Sequence, residues 1–113
     1  MIKNLGFKKL SRTGAHSRAM LRNMAVSLFL HEKVKTTVIR AKALEQVAER
    51  ILSQAVRGEL RKVRRSVHDK QVYQKLVEVL VPRYQDRKGG YTRLVRMGNR
   101  RGDNAEIGVI SLV

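Results

Sequence analysis

Residues 39–57 hold the feature that most restricts how this chain can fold. Leu44, Val47, Ala48, Ile51, Leu52, Ala55 and Val56 recur at steps of three and four, which places them on one face of an α-helix. A helix with one apolar stripe has to bury it against other elements. Thr37 is a fitting N-cap before this helix, and Gly58 a fitting residue just beyond its C-terminus.

The rest of the chain is read around that helix. Residues 16–31 form a second amphipathic helix, with Leu21, Met24, Ala25 and Leu28 as its stripe and Met20 and Phe29 widening it. Residues 33–38 alternate and are β-branched, which predicts a short strand. Residues 59–68 predict a short basic helix in which Leu60, Val63 and Val67 face inward. Asp69 caps a further helix at about 70–81, with Val72, Tyr73, Leu76, Val77 and Leu80 inside and Pro82 as its stop. Residues 83–90 are a loop. Residues 91–97 and 106–113 alternate and form a hairpin across an eight-residue turn, 98–105.

The expectation is an α+β domain at 16–113. Its order is helix, strand, three helices, two strands, with the helices on one face of a small three-stranded sheet. Residues 1–15 lack periodicity and read as an extended basic arm. Glu45 and Glu49 are expected on the solvent side of the long helix, beside Arg50, in intrahelical pairing.

Charge limits the function. The chain has 113 residues, 25 Lys+Arg against 9 Asp+Glu, and a formal net charge of +16. Like charge at that density repels itself unless a polyanion is near. The cations are 15 Arg and 10 Lys, and the Arg fork suits phosphate. Cysteine is absent, which excludes disulfides and thiolate metal sites. The three histidines have no metal spacing, so no metal and no cofactor are expected. There is no signal-peptide pattern and no apolar run of membrane-spanning length. The basic helix lacks the wide apolar face of a membrane-surface helix. These points predict a cytoplasmic protein that is not inserted in a membrane.

The stretch "NRRGDNA" at 99–105 contains Arg101-Gly102-Asp103, a tripeptide known from adhesion ligands. An adhesion role requires secretion, which the charge and the N-terminus oppose. A phosphate-cradling catalytic loop opens a helix, whereas a strand follows here. The remaining reading is a turn. Gly102 takes a positive φ, Asp103 and Asn104 bond the local backbone, and Arg100 and Arg101 project. Patterns for nucleophilic catalysis and nucleotide cradles are missing, so neither an enzyme nor a small-molecule substrate is expected. Five aromatics are too few for base-by-base single-strand readout; Tyr84 and Tyr91 are the candidates for stacking. A free-standing DNA-binding protein is the alternative class, but neither paired helix-turn-helix signals nor a dimerising heptad is present.

The charge pattern selects Lys8, Lys9, Arg12, Arg18 and Arg22 near the N-terminus. It selects Lys35, Arg40 and Lys42 at the strand–helix junction, and Arg87, Lys88, Arg93, Arg96, Arg100 and Arg101 in the C-terminal part. All are expected to bind RNA phosphate.

Several motifs are specific. They are His16, then Arg22-Asn23 before the apolar stripe; Lys35-Thr36-Thr37 followed by Arg40-Ala41-Lys42; Gly-Gly-Tyr-Thr-Arg at 89–93; and Arg100 to Ala105. With them the chain, from about Leu10 to Val113, resembles the L-seventeen family of bacterial large-subunit ribosomal proteins. The resemblance implies a structural, non-enzymatic rRNA-binding protein on the outer side of the large subunit, near the nascent-chain exit and beside other ribosomal proteins. It also implies an α+β fold whose small three-stranded sheet is mixed, and it adds His16, Asn23, Thr36, Thr37 and Tyr91 to the expected RNA-binding set.

Overall fold

The computed structural model describes residues 14–113. Helix α1 (Gly14–His31) leads into strand β1 (Lys33–Thr37) and the long helix α2 (Val38–Val56). Short helix α3 (Leu60–Ser66) follows, then α4 (Lys70–Lys75). A π-helical turn (Leu76–Leu80) and a last α-turn (Val81–Arg83) continue α4 as one rod. Strands β2 (Thr92–Asn99) and β3 (Glu106–Leu112) close the chain. Residues 14 and 15, expected in the arm, belong to α1; the remainder of the arm, residues 1–13, lies outside the described residues.

The sheet order is β1-β3-β2. Both pairings are antiparallel, so the sheet is not the mixed one that the family resemblance implied. The last strand returns between the other two and runs against both. β1 and β2 share a direction but never touch as a ladder.

The long helix forms where its periodicity places it. Thr37 Oγ1 accepts from the Arg40 N–H at 3.4 Å, and Gly58 follows the helix at φ +83°. Ala41, Leu44, Ala48, Ile51, Leu52 and Ala55 are buried. Ala41, Ala48 and Ala55 recur every seven residues, so a row of small side chains lets neighbouring elements approach closely. α1 packs on α2, α4, β1 and β3 and contributes Leu21, Ala25, Leu28 and Phe29, all fully buried. Val63, Val67, Val72, Leu76 and Leu80 complete the helical side of the core. Each large apolar side chain removed from water contributes roughly 1.5–3 kcal/mol.

Three expectations change. Leu60 is exposed, because it sits in the first turn of α3 and only Val63 and Val67 reach the core. Pro82 does not stop its helix, which runs on to Arg83. A π-turn precedes it, with the Val81 N–H donating to Leu76 O, five residues back. The wider turn spares the proline ring the carbonyl it would meet in a regular α-helix. The hairpin loop is six residues, 100–105, rather than eight, because β2 continues to Asn99 through a bulge between Arg96 and Gly98. Gly98 makes that possible at φ +105°, a conformation that favours glycine.

Glu32 joins α1 to β1 at φ 63°. Its N–H donates to Leu28 O at 2.6 Å, and its carbonyl accepts from Leu112 N at 3.0 Å. Its carboxylate takes Arg83 at 2.6 Å and Lys75 at 3.0 Å. These cations, Arg83 foremost, pull its pKa down to about 2. A folded-state pKa below the unfolded value stabilises the fold above the unfolded pKa, and that contribution is lost as pH falls through the folded one. Glu32→Gln keeps the backbone and removes the charge. Wild type is therefore expected to melt above this variant at pH 7, by about 0.5–1 kcal/mol after screening at a part-exposed site. The difference should close between pH 4.5 and about pH 2. Thermal melts of both proteins across that range check it, and a pH-independent gap would contradict the charge pairing.

Candidate nucleic-acid interface

The sheet has one covered face and one open face, and its register decides which residues go where. Val34, Leu94, Ile110 and Leu112 pack into the core. Gly108 lies on that same covered side, where an added Cβ would stand 2.9 Å from Leu94 Cδ1 and 3.2 Å from Val38 Cγ2. The alternate residues point away from the helices. Two rows cross that open face: Lys33, Ser111 and Arg93 in one, Lys35, Val109 and Val95 in the next. Cations thus line both edge strands, with small or apolar residues between them. Charged edges also protect a sheet from pairing with other strands.

Lys35 and Arg93, chosen from sequence, are brought together by β3, to which both strands pair. Strands lie about 4.8 Å apart and the two residues sit in neighbouring rows, so their Cα atoms are roughly 12 Å apart, while Lys33 and Arg93, in one row, are roughly 10 Å apart. Lys33 was missed, although the alternation that selected Lys35 places it on the same face. Thr36 lies opposite Gly108 and is half-buried on the covered side. Thr37 is committed to capping α2. Both therefore build the junction. Arg40 is half-buried and Lys42 exposed in the first turns of α2.

On α1, His16, Arg18, Arg22 and Asn23 all lie on the exposed side. Arg18 folds its guanidinium over Gly14, where a Cβ would come within 3.3 Å of it. His16 and Asn23, with Met20, Met24 and Ser27, line a shallow groove along the helix. Lys8, Lys9 and Arg12 lie outside the described residues.

The hairpin tip behaves as its composition indicates. Gly102 is at φ +99° and Asn104 at φ +58°. Arg100 and Ala105 bond through Arg100 N and Ala105 O at 2.7 Å, and Asn104 N donates to Arg100 O at 3.0 Å. Asp103 Oδ1 accepts from the Ala105 N–H at 3.1 Å. Its carboxylate also takes the Arg100 guanidinium at 2.5 and 3.2 Å. That ion pair and the Ala105 amide hold Asp103 down to about 2, and Arg100 is raised in turn by Asp103. Asp103 therefore serves the turn twice, and Arg100 is partly engaged in it. Arg101 is exposed and has no acidic partner among the described residues. Arg96 is similarly tied to Glu106, at 2.6 Å.

The loop before β2 departs most from expectation. Tyr84 and Tyr91 are buried rather than offered to bases. Their rings meet edge to face at 5.2 Å. Tyr84 Oη donates to Val113 O at 2.8 Å, and Tyr91 Oη donates to Arg87 O at 3.2 Å. The pair fastens the loop to the end of the sheet, which removes the Tyr91 ring from any stacking role. Arg87 donates to Gly90 O at 3.2 Å, and Lys88 is exposed. Glu45 and Glu49 are not idle surface acids either. Glu49 Oε2 accepts from Thr92 N and from Thr92 Oγ1, both at 2.9 Å, and Glu45 Oε2 lies 3.2 Å from the same hydroxyl. The first N–H of an edge strand needs an acceptor, and α2 supplies it.

Among the described residues no group of three or more His, Cys, Asp or Glu could hold a metal ion, and no helix is long and apolar enough to cross a membrane. What the surface offers is cations with no acidic partner among the described residues: Arg22 on α1, Lys33 and Lys35 on β1, Arg93 on β2, and Arg101 at the hairpin tip. Such an array can neutralise phosphates and fix their position, with little means of reading bases.

The family model described as ribosomal protein L17 matches residues 20–113. Three relatives carry the name large ribosomal subunit protein bL17. The one from Elusimicrobium minutum is 50% identical over 113 residues, covering 100% of this chain and 99% of the relative. The one from Halothermothrix orenii is 46% identical over 109 residues, covering 94% of this chain and 96% of the relative. The one from Wolinella succinogenes is 43% identical over 113 residues, covering 97% of each.

Proposed function

The chain belongs to the ribosomal protein L17 family, a family of structural proteins rather than enzymes, and from that premise we propose that it binds rRNA phosphates in the large ribosomal subunit. One observation carries the binding mode: the helix-free sheet face bears Lys33, Lys35 and Arg93, none with an acidic partner among the described residues. These cations let phosphates of separate rRNA segments approach one another. Binding releases condensed counterions, so affinity falls steeply with salt. The partners are large-subunit rRNA and neighbouring large-subunit proteins, in the cytoplasm. The outer position near the nascent-chain exit rests on the family resemblance alone.

Sedimentation of lysate through sucrose gradients at low and high salt tests this. The chain should travel with large subunits and leave them only as salt rises. Recovery with chromosomal DNA, and none with ribosomes, would sink the proposal in favour of a free-standing DNA-binding protein. The exit position is tested by crosslinking in ribosomes carrying a short nascent chain. Crosslinks confined to the subunit interface would contradict it.

A further inference from the structure

The strongest charge cluster outside the interface above is on α3 and its flanks. Residues 57–70 hold six Lys or Arg and two acids. One acid, Glu59, is used by Lys62 at 2.7 Å and Arg57 at 2.8 Å. The other, Asp69, caps α4 by accepting from Gln71 N at 2.8 Å and Val72 N at 3.2 Å. Four cations are left over. Arg61 and Arg65 are one helical turn apart and exposed, on the side of α3 opposite its buried Val63. Arg64 lies over the Tyr73 ring at 4.8 Å, which holds its guanidinium in place. Lys70 is exposed at the start of α4.

We infer that Arg61, Arg64, Arg65 and Lys70 form a second phosphate-binding surface, holding an rRNA segment distinct from those met by the sheet face and hairpin. This deepens the RNA-binding reading and depends on it. The separation comes from the fold. Gly108 lies beside Val38, at the start of α2, while Thr92, at the other end of β2, bonds Glu49. The hairpin therefore points past the beginning of α2, and α3 packs at its far end. Seven strand steps from Thr92 to Asn99 span about 23 Å, and the last two turns of α2 add about 10 Å. Together they account for most of the molecule's longest dimension, 41 Å. A single RNA backbone would have to run the length of the protein to serve both ends.

The chemistry favours RNA over other partners. The only exposed large apolar residue on α3 is Leu60. That is too little for a membrane-surface helix or for the buried anchor that a protein interface needs. Three of the four free cations are Arg, whose planar fork suits phosphate.

The absence of cysteine permits a direct test. Leu60→Cys on α3 and Met97→Cys beside the hairpin, both at exposed positions, are each coupled to an iron chelate that generates hydroxyl radicals. The proteins are then built into large subunits. rRNA cuts are expected from both positions, in segments that do not coincide. Cuts from Met97→Cys alone overturn the second surface, coincident cuts overturn the two-segment arrangement, and cuts from neither overturn the RNA reading itself. A companion measurement does not need subunit assembly. The variant Arg61→Gln, Arg64→Gln, Arg65→Gln, Lys70→Gln is titrated against purified large-subunit rRNA, after circular dichroism has verified its fold. The slope of log affinity against log salt should shrink by about 3, at roughly 0.7–0.9 per lost phosphate contact. An unchanged slope overturns the inference, as does an unchanged slope with lost binding to phosphatidylglycerol vesicles, which would assign the face to a membrane.

Discussion

Replacing Arg22, Lys35, Arg93 and Arg101 together with Gln should weaken binding to large-subunit rRNA by about a hundred- to a thousandfold at fixed salt. The four are chosen because they are exposed and none has an acidic partner among the described residues. Arg83, Arg96 and Arg100 are by contrast engaged with Glu32, Glu106 and Asp103. A charge-assisted contact at a wet surface contributes roughly 1 kcal/mol, so four amount to about 4 kcal/mol if they act independently, near three decades in affinity. Shared RNA segments reduce that figure, hence the lower bound. Fewer phosphate contacts also mean fewer counterions released, and the salt slope should fall by about 3. Filter binding at several salt concentrations measures both. Wild-type affinity and slope in the fourfold variant would refute the sheet-face interface, since no other reading of these residues gives them work to do on RNA.

The largest effect on folding is expected from Phe29→Ala. Phe29 is fully buried near the end of α1, the helix that touches α2, α4, β1 and β3. Removing its ring forfeits the transfer energy of the lost atoms and leaves a cavity that a close-packed interior closes only in part. The loss should be about 3–5 kcal/mol. For a domain of this size that lowers the melting temperature by about 15–25 °C. It also takes a large share of the roughly 5–15 kcal/mol by which such domains are stable. Val95→Thr, on the open sheet face, should change stability by no more than about 0.5 kcal/mol. Calorimetry of the three proteins reads both, and a loss below about 1 kcal/mol for Phe29→Ala would mean that α1 is not the centre of this core.

How much of this was visible in the sequence depends on the distance over which each feature is fixed. Thr37, Asp69, Gly58 and Gly102 act within a few residues, and their roles were legible because a cap or a turn is local chemistry. The apolar stripe of α2 was legible for the same reason. Pro82 was misread because the usual rule assumes an α-helical turn before it, and no local signal announces the π-turn that accommodates it. Tyr84 and Tyr91 were misread as available for stacking. They are seven residues apart, and only the folding back of their loop makes them a buried pair. Glu45 and Glu49 looked like surface acids because their partner, Thr92, lies more than forty residues away. Lys33 was overlooked where alternation already pointed to it.

By itself the sequence determined the elements, the excess of cations over acids and the kind of partner that excess demands. Periodicity and charge are properties of the chain before it folds. Only the tertiary structure decided which cations are free. Arg96 and Arg100 are spoken for by acids that the hairpin brings alongside them. Lys35 and Arg93 are left to solvent, because β3 runs between their strands and the helices cover only the other face.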